Sequence, residues 1–357
     1  MSLPAPSREV LAVIKRGVVI PACPLALDAA RKLDEKCQVA LLRYYAAAGA
    51  GGIAVGVHTT QFEIRDPAIA LFAPLLRLAA QVIDEKNVAR RDSPVVRIAG
   101  ICGPTKQAVA EAQLAASLGY DVGMLSLSAL RDATEDDLIV HCKSVSRIIP
   151  LMGFYLQPAV GGRILAHSFW RRFVEIENVV AIKIAPFNRY YTLDVVRAVA
   201  LAGRESEVTL YTGNDDNIIA DLLTPYPVAT GREMKTLRIK GGLLGQWSIW
   251  TKRAVELLDE IHALAHAEAI PTEMLLKNAA LTDANAAVFD AANNFAGCIP
   301  GVHEVLRRQG LLRYSHCLDP KVGLSPSQAE EISRVCRDYP WLTDDEFVAE
   351  HLDEWLR

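Results

Sequence analysis

No stretch of this chain stays apolar long enough to cross a bilayer uninterrupted. No basic run stands out either. With 38 Lys and Arg against 42 Asp and Glu, the net charge is -4, which argues against a nucleic-acid partner. The opening residues, Met1-Ser2-Leu3-Pro4-Ala5-Pro6, lack the charged start and apolar core of a signal peptide. The seven cysteines (Cys23, Cys37, Cys102, Cys142, Cys298, Cys317, Cys336) are odd in number and never spaced Cys-x-x-Cys, so neither a disulfide frame nor a zinc ribbon is expected. These absences together predict a cytoplasmic protein with reduced thiols and neither membrane nor nucleic acid as a partner. Also missing is a G-x-G-x-x-G loop. The first apolar run is followed instead by Cys23-Pro24-Leu25-Ala26-Leu27-Asp28, which argues against a doubly wound dinucleotide fold.

What is present is alternation. Of 357 residues 51% are hydrophobic, and they fall into short apolar runs separated by amphipathic stretches. Strands are expected at 18–22, 53–57, 94–99, 121–127, 151–155, 179–184 and 208–211, with an eighth within 241–247. Strand-helix units repeated in this way over residues 1–267 predict an α/β chain of the (β/α)8 TIM-barrel class. From 268 to 357 the pattern turns to helix after helix, including 283–294, 301–309 and 326–336, and predicts a C-terminal helical extension. The segment 224–240 is long for a barrel connection and has no evident partner.

Lys183 is the residue most out of place. It sits in Asn178-Val179-Val180-Ala181-Ile182-Lys183-Ile184-Ala185, a run that reads as a strand buried on both faces. An ammonium there either reaches solvent, pairs with a carboxylate, or is desolvated toward the neutral amine, which is the nucleophile for a carbonyl carbon. In a barrel, residues at the C-terminal strand ends converge on one pocket. Those residues are His58-Thr59-Thr60 after strand two, Tyr155 on strand five, Lys183 on strand six and Gly213-Asn214-Asp215-Asp216 after strand seven. An amine, a phenol and a hydroxyl pair suit carbinolamine formation and collapse to an imine.

These residues are similar to those of the dihydrodipicolinate synthase and N-acetylneuraminate lyase superfamily. Tyr155-Leu156-Gln157-Pro158 resembles its Tyr-x-x-Pro motif, and Lys183, 28 residues after the tyrosine, stands in its Ile-Lys context. Gly52-Ile53-Ala54-Val55 leading to Thr59-Thr60 resembles its Gly-Thr-Thr-Gly-Glu loop. Tyr211-Thr212-Gly213-Asn214-Asp215-Asp216 resembles its Gly-Asp-Asp segment, and residues 300–311 its helix before a Gly-Leu turn. The resemblance implies a class I aldolase or lyase acting on a 2-keto acid such as pyruvate, with an aldehyde as second partner, no metal and no cofactor. Lys183 would form the Schiff base and Tyr155 would shuttle protons. Thr59 and Thr60 would hold the carboxylate, with Thr59 also in a proton relay. Gly213, Asp215 and Asp216 would lie near the distal end of the substrate. A homo-oligomer, dimer or tetramer, is also implied.

The chain departs from the family pattern at several points. His58 and Gln61-Phe62-Glu63 flank the two threonines where the family carries glycine and Gly-Glu. Leu125-Ser126-Leu127-Ser128-Ala129 has no Pro-Tyr-Tyr. Val160 stands at the synthase arginine position, with Arg163 three residues further on. These changes point away from the lysine-biosynthetic reaction, while Ala159 and Tyr211 are closer to the sugar-acid lyases. His58, beside Thr59, is expected to touch the carboxylate or the imine. Two other readings remain open at this level. One is a metal-dependent barrel lyase with His58 and Asp215 as ligands; the other is a non-catalytic relative that binds a keto acid. His262 and His266, spaced i, i+4, are expected on a solvated helix face.

Overall fold

The apolar runs become parallel strands because each is flanked by a helix long enough to return the chain to the same edge. The computed structural model describes residues 3–357. Its strands are β1 (Val19–Pro21), β2 (Gly52–Val55), β3 (Val96–Ile101), β4 (Val122–Leu125), β5 (Leu151–Leu156), β6 (Val179–Ala185), β7 (Thr209–Thr212), β8 (Tyr226–Thr230), β9 (Glu233–Leu237) and β10 (Ile239–Leu244). Eight of them form one parallel sheet in the order β1-β10-β7-β6-β5-β4-β3-β2. A parallel bridge between Ala22 and Ala54 joins the two ends, closing the expected TIM barrel.

Around it run α2 (Glu35–Ala48), α3 (Phe72–Asn87), α4 (Thr105–Ser117), α5 (Glu135–Ser146), α6 (His167–Val174), α7 (Arg189–Ala202), α8 (Ile218–Leu223) and α9 (Thr251–Leu264), preceded by α1 (Arg8–Arg16). The period of two along each strand sorts side chains into two cores. On β6, Ala181 and Ala185 belong to the core inside the barrel, and Ile182 and Ile184 to the core between sheet and helices. On β5, Met152, Phe154 and Leu156 point in, while Leu151 and Tyr155 point out.

Two segments were not legible beforehand. The first is α1, which plugs the barrel at the N-terminal ends of the strands with Val10, Val13 and Ile14; the Tyr211 hydroxyl donates to the Ile14 carbonyl at 2.8 Å. The second is 224–240, which forms the antiparallel hairpin β8–β9. Tyr226, Val228 and Leu237 bury one face of it in the outer core, and Lys235 pairs with Glu205 just beyond α7. The hairpin leads directly into the start of β10, so it lies at the floor of the barrel and not over its mouth.

Helices α10 (Thr272–Val288), α11 (Cys298–Arg308), α12 (Gln328–Asp338) and α13 (Asp345–Trp355) follow the barrel. They share its outer core through Leu281, Val302, Leu306, Val335 and Trp355. The Tyr44 hydroxyl on α2 donates to Asp344 at 2.7 Å, and its ring lies 5.5 Å from that of Trp355. Among the described residues no helix is long and apolar enough to cross a membrane.

Candidate active site

Lys183 enters the barrel from the C-terminal half of β6, level with Phe154 on one side and Tyr211 on the other. It is 8% exposed. Its ammonium lies 4.5 Å from the centroid of the Phe154 ring and has no hydrogen-bond or ion-pair partner among the described residues. Burial pushes its pKa down, and the nearby Asp215 carboxylate only partly opposes this. Burial correspondingly pushes the Asp215 pKa up, against the pull of Lys183. The lysine is therefore shifted toward its nucleophilic form, in a cavity of about 590 Å³, counting the open mouth.

Gly213 creates the room for this side chain. A Cβ there would lie 2.6 Å from Lys183 Cε and 2.8 Å from the Ala185 Cβ. The turn after β7 is held by a fully buried carboxylate, Asp221, which accepts from the Thr212 hydroxyl at 2.8 Å, Asn214 Nδ2 at 2.8 Å and Asn217 Nδ2 at 2.9 Å. The Asp215 carboxylate is left facing the cavity and, among the described residues, accepts only from the Gln246 backbone, at 3.2 Å. Asp216 turns away toward Arg189, 3.6 Å off.

His58 lines the cavity from the opposite wall. Burial brings its pKa down to about 4, and the Lys183 charge adds to this, so the ring is neutral at pH 7 and offers one N–H donor. Thr59 also lines the cavity, but its hydroxyl donates to the Ala22 carbonyl at 2.6 Å. Thr60 lies behind the wall. Its hydroxyl donates to the Cys23 carbonyl at 2.7 Å and accepts from the backbones of Gly56 and Val57, latching the loop to β1. The structure thus brings together Lys183, His58, Thr59, Gly213 and Asp215, and gives Thr60 a structural hydrogen-bond set in place of the expected contact with a carboxylate.

Tyr155 is not brought to the site. The pairing of β5 with β6 is irregular between Leu151 and Met152, and beyond that point Phe154, not Tyr155, stands level with Lys183. A shift of one residue moves a side chain to the opposite face. Tyr155 is consequently buried outside the barrel, 5.3 Å from the Trp170 ring and 5.9 Å from the Tyr191 ring, and its hydroxyl meets the Leu165 carbonyl and N–H at 3.2 Å. Tyr155→Phe should therefore cost about 1 kcal/mol of stability, the worth of those hydrogen bonds. It should leave the reactivity of Lys183 toward a keto acid within about threefold of wild type, the scatter of a remote packing change. Denaturant unfolding and adduct-formation rates check the two halves.

Arg163 is also unavailable. Its guanidinium is committed to the carbonyls of Leu130 and Ala133. Among the described residues no three His, Cys, Asp or Glu side chains are grouped closely enough to hold a metal ion. His262 lies outside the barrel, its Nε2 2.7 Å from the Lys240 carbonyl.

Sequence reasoning missed the apolar wall. Phe154, Phe187, Phe289 and Phe295 all line the cavity, together with Cys298, whose thiol is kept protonated by burial. Phe187 had a signal, since it continues past the end of β6 the spacing of two set by Ala181, Lys183 and Ala185. Phe289, Phe295 and Cys298 had none. They come from the turn between α10 and α11 and from the first residue of α11, more than a hundred residues from Lys183. Phe187 and Phe295 meet edge to face at 5.9 Å, and both hold positive φ, +52° and +66°. Such backbone is unfavourable for bulky residues and persists where surrounding structure enforces it.

No family model matches the chain, and no curated protein matches it in sequence. Solved structures do match its fold. Dihydrodipicolinate synthase from Oceanobacillus iheyensis superposes with a TM-score of 0.71 at 15% identity, over 93% of this chain and 99% of that one. N-acetylneuraminate lyase from Fusobacterium nucleatum, complexed with pyruvate, gives 0.69 at 14% identity, over 91% and 98%. CdNal from Clostridium difficile, in complex with mannosamine, gives 0.70 at 14% identity, over 90% and 99%. The likeness is one of fold, and it is the fold of the enzymes that the motifs resemble.

Proposed function

We propose that the protein is a class I aldolase or lyase in which Lys183 forms a Schiff base with a 2-keto acid such as pyruvate. The observation that carries this reading is the unpaired, buried amine of Lys183 inside the barrel mouth. Related folds complexed with pyruvate and with mannosamine support it at the level of substrate type.

The neutral amine adds to the keto carbon, and the carbinolamine loses water to give an iminium. In the cleavage direction the hydroxyl on C4 gives up its proton, the C3–C4 bond breaks and its electrons pass to the iminium nitrogen, releasing an aldehyde and leaving an enamine. The enamine takes a proton at C3, and water returns the keto acid and the free lysine. With Tyr155 outside the barrel, the groups placed to carry these protons are Asp215 and His58. Asp215 has its pKa raised by burial toward the range useful to a general acid or base. The neutral His58 ring, which lines the cavity, would donate its N–H to the substrate carboxylate.

Reductive trapping with pyruvate, read by intact mass and peptide mapping, tests the reading. An adduct on Lys183 is expected. Folded protein that forms no adduct with any of a panel of 2-keto acids would refute it. Asp215→Asn separates the two roles of the carboxylate. Its charge raises the Lys183 pKa, so removing it lets burial act unopposed. The rising limb of adduct formation should then move to lower pH, while turnover falls by roughly 10²-fold through loss of the proton carrier. Adduct rate against pH and steady-state kcat provide the check.

A further inference from the structure

Behind the aromatic wall lies a second chamber of about 350 Å³, counting its opening to solvent. It shares Phe187, Asp215, Phe289 and Phe295 with the first cavity, so the two meet around the Phe187–Phe295 pair. Its far wall is one face of α10, where Thr282, Asn285, Ala286 and Phe289 recur at helical spacing. No Lys, Arg or His lines it among the described residues.

The polar groups of this chamber are Asp215, Asp216, Thr282 and Asn285. The Thr282 hydroxyl is occupied with the carbonyls of Asn278 at 2.9 Å and Asp216 at 3.0 Å. Asn285 donates its Nδ2 to the Asp215 carbonyl at 2.7 Å, which leaves Asn285 Oδ1, on a side chain 3% exposed, without any partner. Asp216 Oδ1 faces the Arg189 guanidinium, 3.6 Å away. The unpartnered atom on a buried side chain of this chamber, Asn285 Oδ1, is therefore an acceptor, and a buried acceptor calls for a donor. A carboxylate-bearing ligand would meet only acceptors and two acids. A polyhydroxylated chain would press most of its hydroxyls against phenylalanine rings with nothing to accept from or donate to.

We infer that this chamber binds the aldehyde-derived half of the substrate, and that this half is a one-ring aromatic group carrying a hydroxyl. The ring packs among Phe187, Phe289 and Phe295, and the hydroxyl donates to Asn285 Oδ1. The inference rests on the Schiff-base reading for its chemistry, although occupation of the chamber does not require the imine. In the condensation direction C3 of the enamine bonds to the aldehyde carbon and the carbonyl oxygen takes a proton. Water then frees a 4-aryl-4-hydroxy-2-keto acid from Lys183.

The test uses binding and coupling together. Binding of 4-hydroxybenzyl alcohol and its 3-hydroxy isomer, which have no carbonyl, is measured by calorimetry. The full chain is used as wild type, as Lys183→Met, and with the chamber filled from its exposed rim by Ala286→Trp or, on the facing wall, Ala291→Trp. At least one isomer should bind wild type and Lys183→Met alike, and roughly tenfold or more weaker to the filled variants; benzyl alcohol, without the phenol, should show a similar loss in wild type. No saturable binding, or binding unaffected in whichever filled variant remains folded, overturns the chamber assignment. Coupling of pyruvate to 4-hydroxybenzaldehyde and 3-hydroxybenzaldehyde is then compared with glyceraldehyde. If Lys183 forms its pyruvate adduct but neither aromatic aldehyde couples faster than glyceraldehyde, the aldehyde-subsite assignment falls and the Schiff-base reading stands. If no pyruvate adduct forms in wild type, the Schiff-base reading falls, and the calorimetry alone decides what the chamber binds.

Discussion

On the Schiff-base reading, Lys183→Met should remove the trappable adduct with pyruvate and lower kcat by roughly 10⁴-fold or more, as loss of a covalent nucleophile does in other enzymes. The same substitution should make the protein more stable. Methionine keeps the apolar stem and gives up an ammonium that the native state holds out of water without a partner. Relief of that desolvation is worth on the order of 1 kcal/mol. The gain depends on pH with a definite sign. The folded-state pKa of Lys183 lies below its ordinary value of 10.5, so between the two the unfolded chain binds more protons than the native one. Native stability therefore rises with pH through that window, and the lysine's penalty is fully present below it. Lys183→Met should flatten this slope, with its advantage largest at low pH and gone above the ordinary lysine range. Urea unfolding of both proteins across pH provides the measurement. A variant less stable than wild type at every pH would mean that the amine has a partner in solution.

Gly213→Ala should also damage activity, though less, for a steric reason. The added methyl would sit 2.6 Å from Lys183 Cε, which can move, and 2.8 Å from the Ala185 Cβ, which is fixed to the neighbouring strand. The strand turn must give or the lysine must swing aside. Overpacking of this size costs about 1–3 kcal/mol. A nucleophile displaced by about 1 Å loses roughly 10²-fold in rate. The expected result is a folded protein with a modestly lowered midpoint and a slow adduct that still maps to Lys183. Unchanged adduct kinetics would show that Lys183 does not react from the position it occupies beside Gly213.

The legible part of the site was the part written within single strands. Lys183 stood out because every neighbour in its run is apolar, and Gly213 because a turn with two following acids closes β7. His58 and Asp215 followed from their places at strand ends, and both do face the cavity. Tyr155 shows where this stops. Its spacing from Lys183 and its proline three residues on are properties of one chain segment, but which of Phe154 and Tyr155 faces inward depends on how β5 is set against β6. Thr60 shows the same limit, because a hydroxyl near a pocket is indistinguishable in sequence from one that holds a loop to the neighbouring strand. The segment 224–240 stayed unread because its hairpin finds its partner within itself and its apolar face against α7, not through the strand-helix alternation.

By itself the sequence determined the barrel, the burial of a lysine on its sixth strand and the place of a glycine at the turn after its seventh. These follow from a period of two and from residue size, which act between near neighbours along the chain. Only the tertiary structure decided the face of Tyr155, the plug α1 and the aromatic roof formed by Phe289 and Phe295. Those depend on strand register and on the docking of helices more than a hundred residues away, where burial across the whole molecule outweighs any local preference.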